Sequence, residues 1–370
     1  MSQLDATEVE QVIQDEQAIQ DEQAIQVKQD GGKLINNGRY GCIFLPQLLC
    51  NTAQPEFKTD RKHPLISKII YKDDAFNEFN IGKKIRSIAL WKNYFSVSES
   101  ICLPANRQTD KDIKQCEVFN TEKLENLRIL SMRYNGVSLL NARFNVNTFD
   151  IMRFVTHLLE GTALMTVHGI IHRDIHSANI IVDSYNVPRL IDFNLSILDY
   201  TKYTPNILFH QYSPKFTQIS PDYMIMNALY QSKKTMTSDT VINDILYKST
   251  IIKQISRLLG VSLDTIRSQL NDIYSASIVE YPSISAWFDK FWPTLDSWAI
   301  GANIIQLILH MSKWPAFISK LNENKHILYP VLRGLCAINP KERMNCMQAL
   351  YKLNPANRIV SQYGKGWLYE

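Results

Sequence analysis

Asp174, Asn179 and Asp192 lie within one short stretch, GIIHRDIHSANIIVDSYNVPRLIDFNLS (Gly169 to Ser196), which holds the residue types that a phosphoryl group needs near it. Two apolar runs, Ile180 to Val182 and Arg189 to Ile191, flank the turn-forming DSYNVP and predict an antiparallel hairpin. Such a hairpin closes its outer ends, so Asn179 and Asp192 become neighbours. A carboxylate beside an amide oxygen suits a hard cation such as Mg²⁺, which takes oxygen ligands and keeps waters and substrate phosphates. Asp174, five residues before Asn179, then lies near the cation without binding it, placed to orient and deprotonate an attacking hydroxyl.

His172-Arg173-Asp174 with Asn179 matches H-R-D-x-x-x-x-N, and Asp192-Phe193-Asn194 matches D-F-G with one change. On these residues the chain resembles the eukaryotic-type protein kinases, over residues 33 to 350 or so, and more faintly those of large DNA viruses. The resemblance implies an α+β, bilobal fold with a small β-rich N-lobe and a larger helical C-lobe, and ATP with Mg²⁺ as cofactors. It makes Asp174 the catalytic base and Asn179 and Asp192 the metal ligands. Arg173 would pair with a phosphate on the segment Leu195 to Ile219, with Thr201, Thr204 and Ser213 as candidate acceptors. In NNGRYGCIF, Asn36, Gly38, Gly41 and Ile43 take the phosphate-loop positions, where glycine lets backbone N–H groups approach phosphates. Lys68 of LISK takes the lysine that contacts the phosphates, and Glu78 on the next helical stretch is the acid to pair with it. Ile66, Met132 and Tyr134 fall around the adenine. Further on, LDSWAIG (Leu295 to Gly301) resembles the start of the central C-lobe helix, and Arg343 is expected to pair with Asp222 of Ser220-Pro221-Asp222.

Four positions depart from the family. Asn194 replaces a glycine, and asparagine tolerates left-handed φ better than other side chains. Ile66 replaces an alanine against the adenine. Gly82, four residues after Glu78, removes an apolar side chain expected under Phe193, implying a loosely tethered helix that needs an activating partner. His176 stands where a lysine usually faces the transferred phosphate, so it joins the catalytic set with less charge to offer.

These residues need elements to position them. Residues 1–32 form an acidic, Gln-rich tail with the repeat IQDEQA at 13–18 and 19–24, whose period of six fits no helical stripe. Residues 33–136 read as strands (KLIN, CIFL, LISKII, ICLP, LRILSMRY) around one helix, Asp74 to Ser87. Residues 137–350 read as mainly helical, with Ile151, Phe154, Val155, Leu158 and Leu159 on one helix face. The 73 residues between Asp222 and Asp296 include a helical insertion at about 223–290, read as helices packed on the lobe in preference to a docking module. Residues 351–370 form a C-terminal extension.

Composition narrows the classes. The first 30 residues carry eight acids and one base, leaving +11 on the remainder of a chain of net charge +4. No arginine-aromatic cluster points to a specific nucleic acid, and no apolar run reaches a membrane span. The six cysteines show no metal-ligand spacing and read as free thiols in a reducing compartment. The expected location is therefore intracellular and cytoplasmic, or a viral factory or virion if the chain is viral. The expected activity is transfer of the γ-phosphate of ATP to Ser or Thr hydroxyls of a protein substrate. The alternatives are a pseudokinase acting as a nucleotide-binding or scaffolding module and, ranked last, a small-molecule phosphotransferase.

Overall fold

The computed structural model describes residues 32–38, 41–51, 64–106, 108, 111–230 and 236–368. Almost all of the acidic tail, Arg39-Tyr40 of the glycine turn and residues 231–235 of the insertion lie outside them. The chain is mixed α+β and divides into two compact units, residues 1–79 with 98–134, and residues 80–97 with 135–370.

The first unit is built on a five-stranded antiparallel sheet of order β1-β2-β3-β5-β4, with β1 Lys33–Gly38, β2 Gly41–Leu45, β3 Leu65–Tyr71, β4 Ser100–Cys102 and β5 Leu127–Arg133. All five expected strands form, because their β-branched and apolar residues alternate between two covered faces. On one face, Cys42, Phe44, Ile69, Leu127 and Ile129 pack against Ile113, Cys116 and Val118. On the other, Ile70, Leu130 and Met132 pack with Ile66 and Ile101 against Ala75 and Phe79 of the Lys72–Arg86 helix.

Two disulfides cross-link this unit, Cys42–Cys116 and Cys50–Cys102, while Cys336 and Cys346 stay buried thiols. The expectation of six free thiols is thus corrected, and with it the basis for a reducing compartment. Spacing hid the pairing because its partners stand 74 and 52 residues apart and meet only once the sheet has formed.

The second unit is mainly helical. The Ile151–Val167 helix is capped by Asp150, whose side chain accepts from Arg153 N, and buries all five residues read as its inner face. The insertion folds as helices Ser238–Lys248, Thr250–Leu259 and Leu263–Glu280, which bury Val241, Ile245, Ile251, Ile255, Ile266 and Leu270 in the main core. Gly260 closes the middle one in the left-handed region at φ 71°. Among the described residues no helix is long and apolar enough to cross a membrane.

Arg343 pairs with Asp222 at 2.7 Å, both side chains fully buried, so the shorter Asp completes the expected ion pair. Its guanidinium also lies 5.2 Å from the Trp298 ring centroid.

Alkylation of the denatured, unreduced protein is expected to label Cys336 and Cys346 and spare the other four, as read by mass spectrometry. Paired Cys42→Ser and Cys116→Ser changes should lower the unfolding free energy by about 2–4 kcal/mol in a urea titration.

Candidate active site

Strand register decides which side chains can share a surface, since directly opposed residues in an antiparallel pair point to the same face. Ile43 opposes Lys68, which opposes Leu130, and Ile66 opposes Met132. Asn36 opposes Ile43 and Gly38 opposes Gly41. Asn36, Gly38, Gly41, Ile43, Ile66, Lys68 and Met132 therefore belong to a single sheet face. Tyr134 follows β5, its N–H donating to Pro64 O at 2.8 Å, and burial pushes its phenol pKa up. Gly41 has a reason of its own to be glycine. At φ 153° a Cβ would stand 2.2 Å from Ile69 O and from the Ile70 side chain of β3.

Lys68 Nζ meets Glu78 Oε2 at 2.8 Å, with side-chain exposures of only 8% and 6%. Glu78 comes from the helix that begins immediately after β3, so strand and helix deliver the two charges to the same place. This occurs despite Gly82.

In the second unit, Ile180–Val182 and Pro188–Leu190 pair antiparallel, with Ile180 opposite Leu190. Ile191 N donates to Asn179 O at 3.0 Å, so the hairpin brings Asn179 beside the strand end that leads into Asp192, as the sequence predicted. Asn179 Nδ2 donates to Asp174 O at 3.0 Å and to Asp174 Oδ2 at 3.3 Å. Its amide nitrogen is thereby committed to Asp174, and its oxygen is turned away from that carboxylate.

The turn carrying Asp174 is held from below by the Leu295–Met311 helix. Asp296 accepts from His172 N at 2.7 Å and Arg173 N at 2.9 Å, and Asn303 donates to Ile175 O at 2.9 Å. Asp296 and Asn303 stand seven residues apart, on one helix face. Burial pushes the Asp296 carboxyl up in pKa, with the neighbouring His172 and the two N–H contacts working against it.

Asp174 itself sits among donors. Gln218 Nε2 reaches its Oδ1 at 2.9 Å, and His176 Nε2 lies 3.6 Å from its Oδ2. Ala178 N donates to His176 Nδ1 at 3.2 Å, so the ring proton is on the nitrogen facing Asp174. Burial works against ionisation of Asp174, but His176, Gln218 and His172 outweigh it and hold its pKa at about 2.

Arg173 is buried, and its Nη2 donates to Leu208 O, Phe209 O (2.8 Å) and Tyr223 Oη (3.1 Å). The nitrogen expected to meet a phosphate on residues 195–219 is here bonded to the main chain of that segment.

Two expectations about the Asp-Phe-Asn turn change. The left-handed residue is Asp192, at φ 62°, and Asn194 is not among the positive-φ positions. Left-handed tolerance thus does not explain Asn194. Phe193 lies 4.8 Å from the His172 ring and edge-on to Phe95 at 6.2 Å. Phe95, fully buried, supplies the neighbour that Gly82 cannot. Phe95 and Gln218 are the functional candidates that sequence reasoning missed, and nothing in their local pattern marks either.

No protein-family model matches the chain, and no curated protein is significantly similar to it.

A depressed Asp174 pKa contributes stability that is present above the unfolded value of about 4 and is lost as pH falls toward 2. The stability gap between wild type and Asp174→Asn, measured by urea unfolding, should therefore shrink by about 2 kcal/mol across that window. A gap independent of pH would contradict it.

Proposed function

We propose that the chain is an ATP-dependent protein kinase of bilobal fold that transfers the γ-phosphate to Ser or Thr hydroxyls of a protein substrate. The observation that carries this is the buried Lys68–Glu78 pair at 2.8 Å. Removing two charges from water costs as much as their attraction returns, so a buried pair is a poor device for stability alone. A lysine held by a glutamate, on a face shared with Gly41, Ile66 and Met132, is a device for gripping a polyphosphate beneath a purine. Within the second unit alone, Asp174 is an ionised carboxylate, with Asn179 and Asp192 at the hairpin's mouth.

Among the described residues no three His, Cys, Asp or Glu side chains cluster as a metal site. Mg²⁺ needs no such cage, since one or two protein oxygens suffice when phosphates provide the others. Asn179, with its nitrogen committed to Asp174, and Asp192 fit that role. Bound Mg²⁺ would neutralise phosphate charge during transfer. Lys68 would do the same for the phosphates nearest it, and Asp174 would align the hydroxyl and accept its proton. The absence of the arginine-alanine arrangement of tyrosine kinases from DIHSAN favours Ser or Thr.

The test is transfer of label from γ-³²P-ATP with Mg²⁺ to a degenerate Ser/Thr peptide library. Asp174→Asn should reduce turnover by at least about 100-fold with nucleotide binding retained, and Lys68→Met should weaken both. Incorporation indifferent to Asp174→Asn sinks the assignment. A wild-type protein that binds ATP without transferring label is the nucleotide-binding or scaffolding module instead.

A further inference from the structure

We infer that Gln218 is a positioning residue that fixes the Asp174 carboxylate from the segment leading into the Pro221–Tyr230 helix; this rests on the phosphotransfer reading above. The contact spans 44 residues of sequence at 2.9 Å. Gln218 projects from backbone that is clamped on both sides. Before it, Thr217 O accepts from Trp298 Nε1 at 3.1 Å. After it, Ile219, Ser220 and Asp222 are buried, and Asp222 is locked to Arg343. Arg343 in turn lies over Trp298. The amide is therefore aimed by a rigid frame, which is what a precise hydrogen bond needs.

The two oxygens of Asp174 are held unequally. Oδ1 takes the short bond from Gln218, whereas among the described residues Oδ2 has the longer approaches of Asn179 at 3.3 Å and His176 at 3.6 Å. Gln218 thus ties down one oxygen, sets the plane of the carboxylate and leaves Oδ2 as the proton acceptor. In the transfer, the substrate hydroxyl oxygen bonds to the γ-phosphorus as the β–γ bridging bond breaks. Its proton passes to Oδ2, and the bond's electron pair leaves on the nucleoside diphosphate. Because Gln218 and the anchored residues 217–222 belong to the same segment, the base is aligned when that segment is seated.

The experiment compares the full chain with Gln218→Met, which keeps size and loses the donor, and with Gln218→His, which restores one. The readouts are kcat and KM on the Ser/Thr peptide library, affinity for a fluorescent ATP analogue, melting temperature, and the plane of the Asp174 carboxylate in crystals of each variant. Gln218→Met is expected to lower kcat about tenfold, let the Asp174 carboxylate rotate out of its plane and leave KM and nucleotide affinity within about twofold. Gln218→His should recover part of kcat. An unchanged kcat, an Asp174 carboxylate that keeps its plane without Gln218, or a fall in melting temperature and nucleotide affinity parallel to that in kcat, overturns the proposal. Should the wild type transfer no phosphate, the activity reading fails, and the plane of the Asp174 carboxylate in crystals of Gln218→Met still decides whether Gln218 holds it.

Discussion

The second unit turns on one carboxylate. Asp296 receives the N–H groups of His172 and Arg173 at 2.7 and 2.9 Å, in a site where an unpaired peptide donor would cost about 1–3 kcal/mol. Arg173 is held at φ 69°, a conformation that a non-glycine residue keeps only when its surroundings over-determine it. With that peptide fixed, Asp174 presents to Asn179, His176 and Gln218. Asn303, two turns along the same helix, fixes Ile175. One helix face therefore sets the geometry of the whole loop.

Much of this was legible from the amino-acid order. The five strands, the helix after Lys68 and the 180–190 hairpin follow from alternation and turn chemistry, which are local. The Lys68–Glu78 pair was within reach because helix follows strand directly, and the Asp222–Arg343 pair because the resemblance to protein kinases links those two positions. The hidden features all depend on distant chain segments meeting. Cys42 finds Cys116 on one face of the sheet, Gln218 finds Asp174, and Phe95 finds Phe193. Asn194 was misjudged for a different reason. A substitution for glycine suggests a left-handed backbone at that residue, but the positive φ belongs to Asp192, two positions earlier.

The aromatic contacts around Phe193 also change the meaning of Gly82. A helix lacking an apolar side chain there need not leave the ring unsupported, because Phe95, bridged to Leu190, meets it from another direction. Edge-on and tilted ring contacts of this kind favour particular orientations beyond the area they bury. Phe193 is thereby held between His172 and Phe95, adjacent to the left-handed Asp192. The Lys68–Glu78 pair is held separately, within the first unit, by the sheet and the first half of the helix.

The two disulfides are nested, the Cys50–Cys102 loop lying inside the Cys42–Cys116 loop. Scission of any single peptide bond between Cys50 and Cys102, an interval that contains both Lys68 and Glu78, would leave two polypeptides still covalently joined at two points. A protease acting there would nick this protein without dividing it, and only a reductant working together with the protease would set the fragments free.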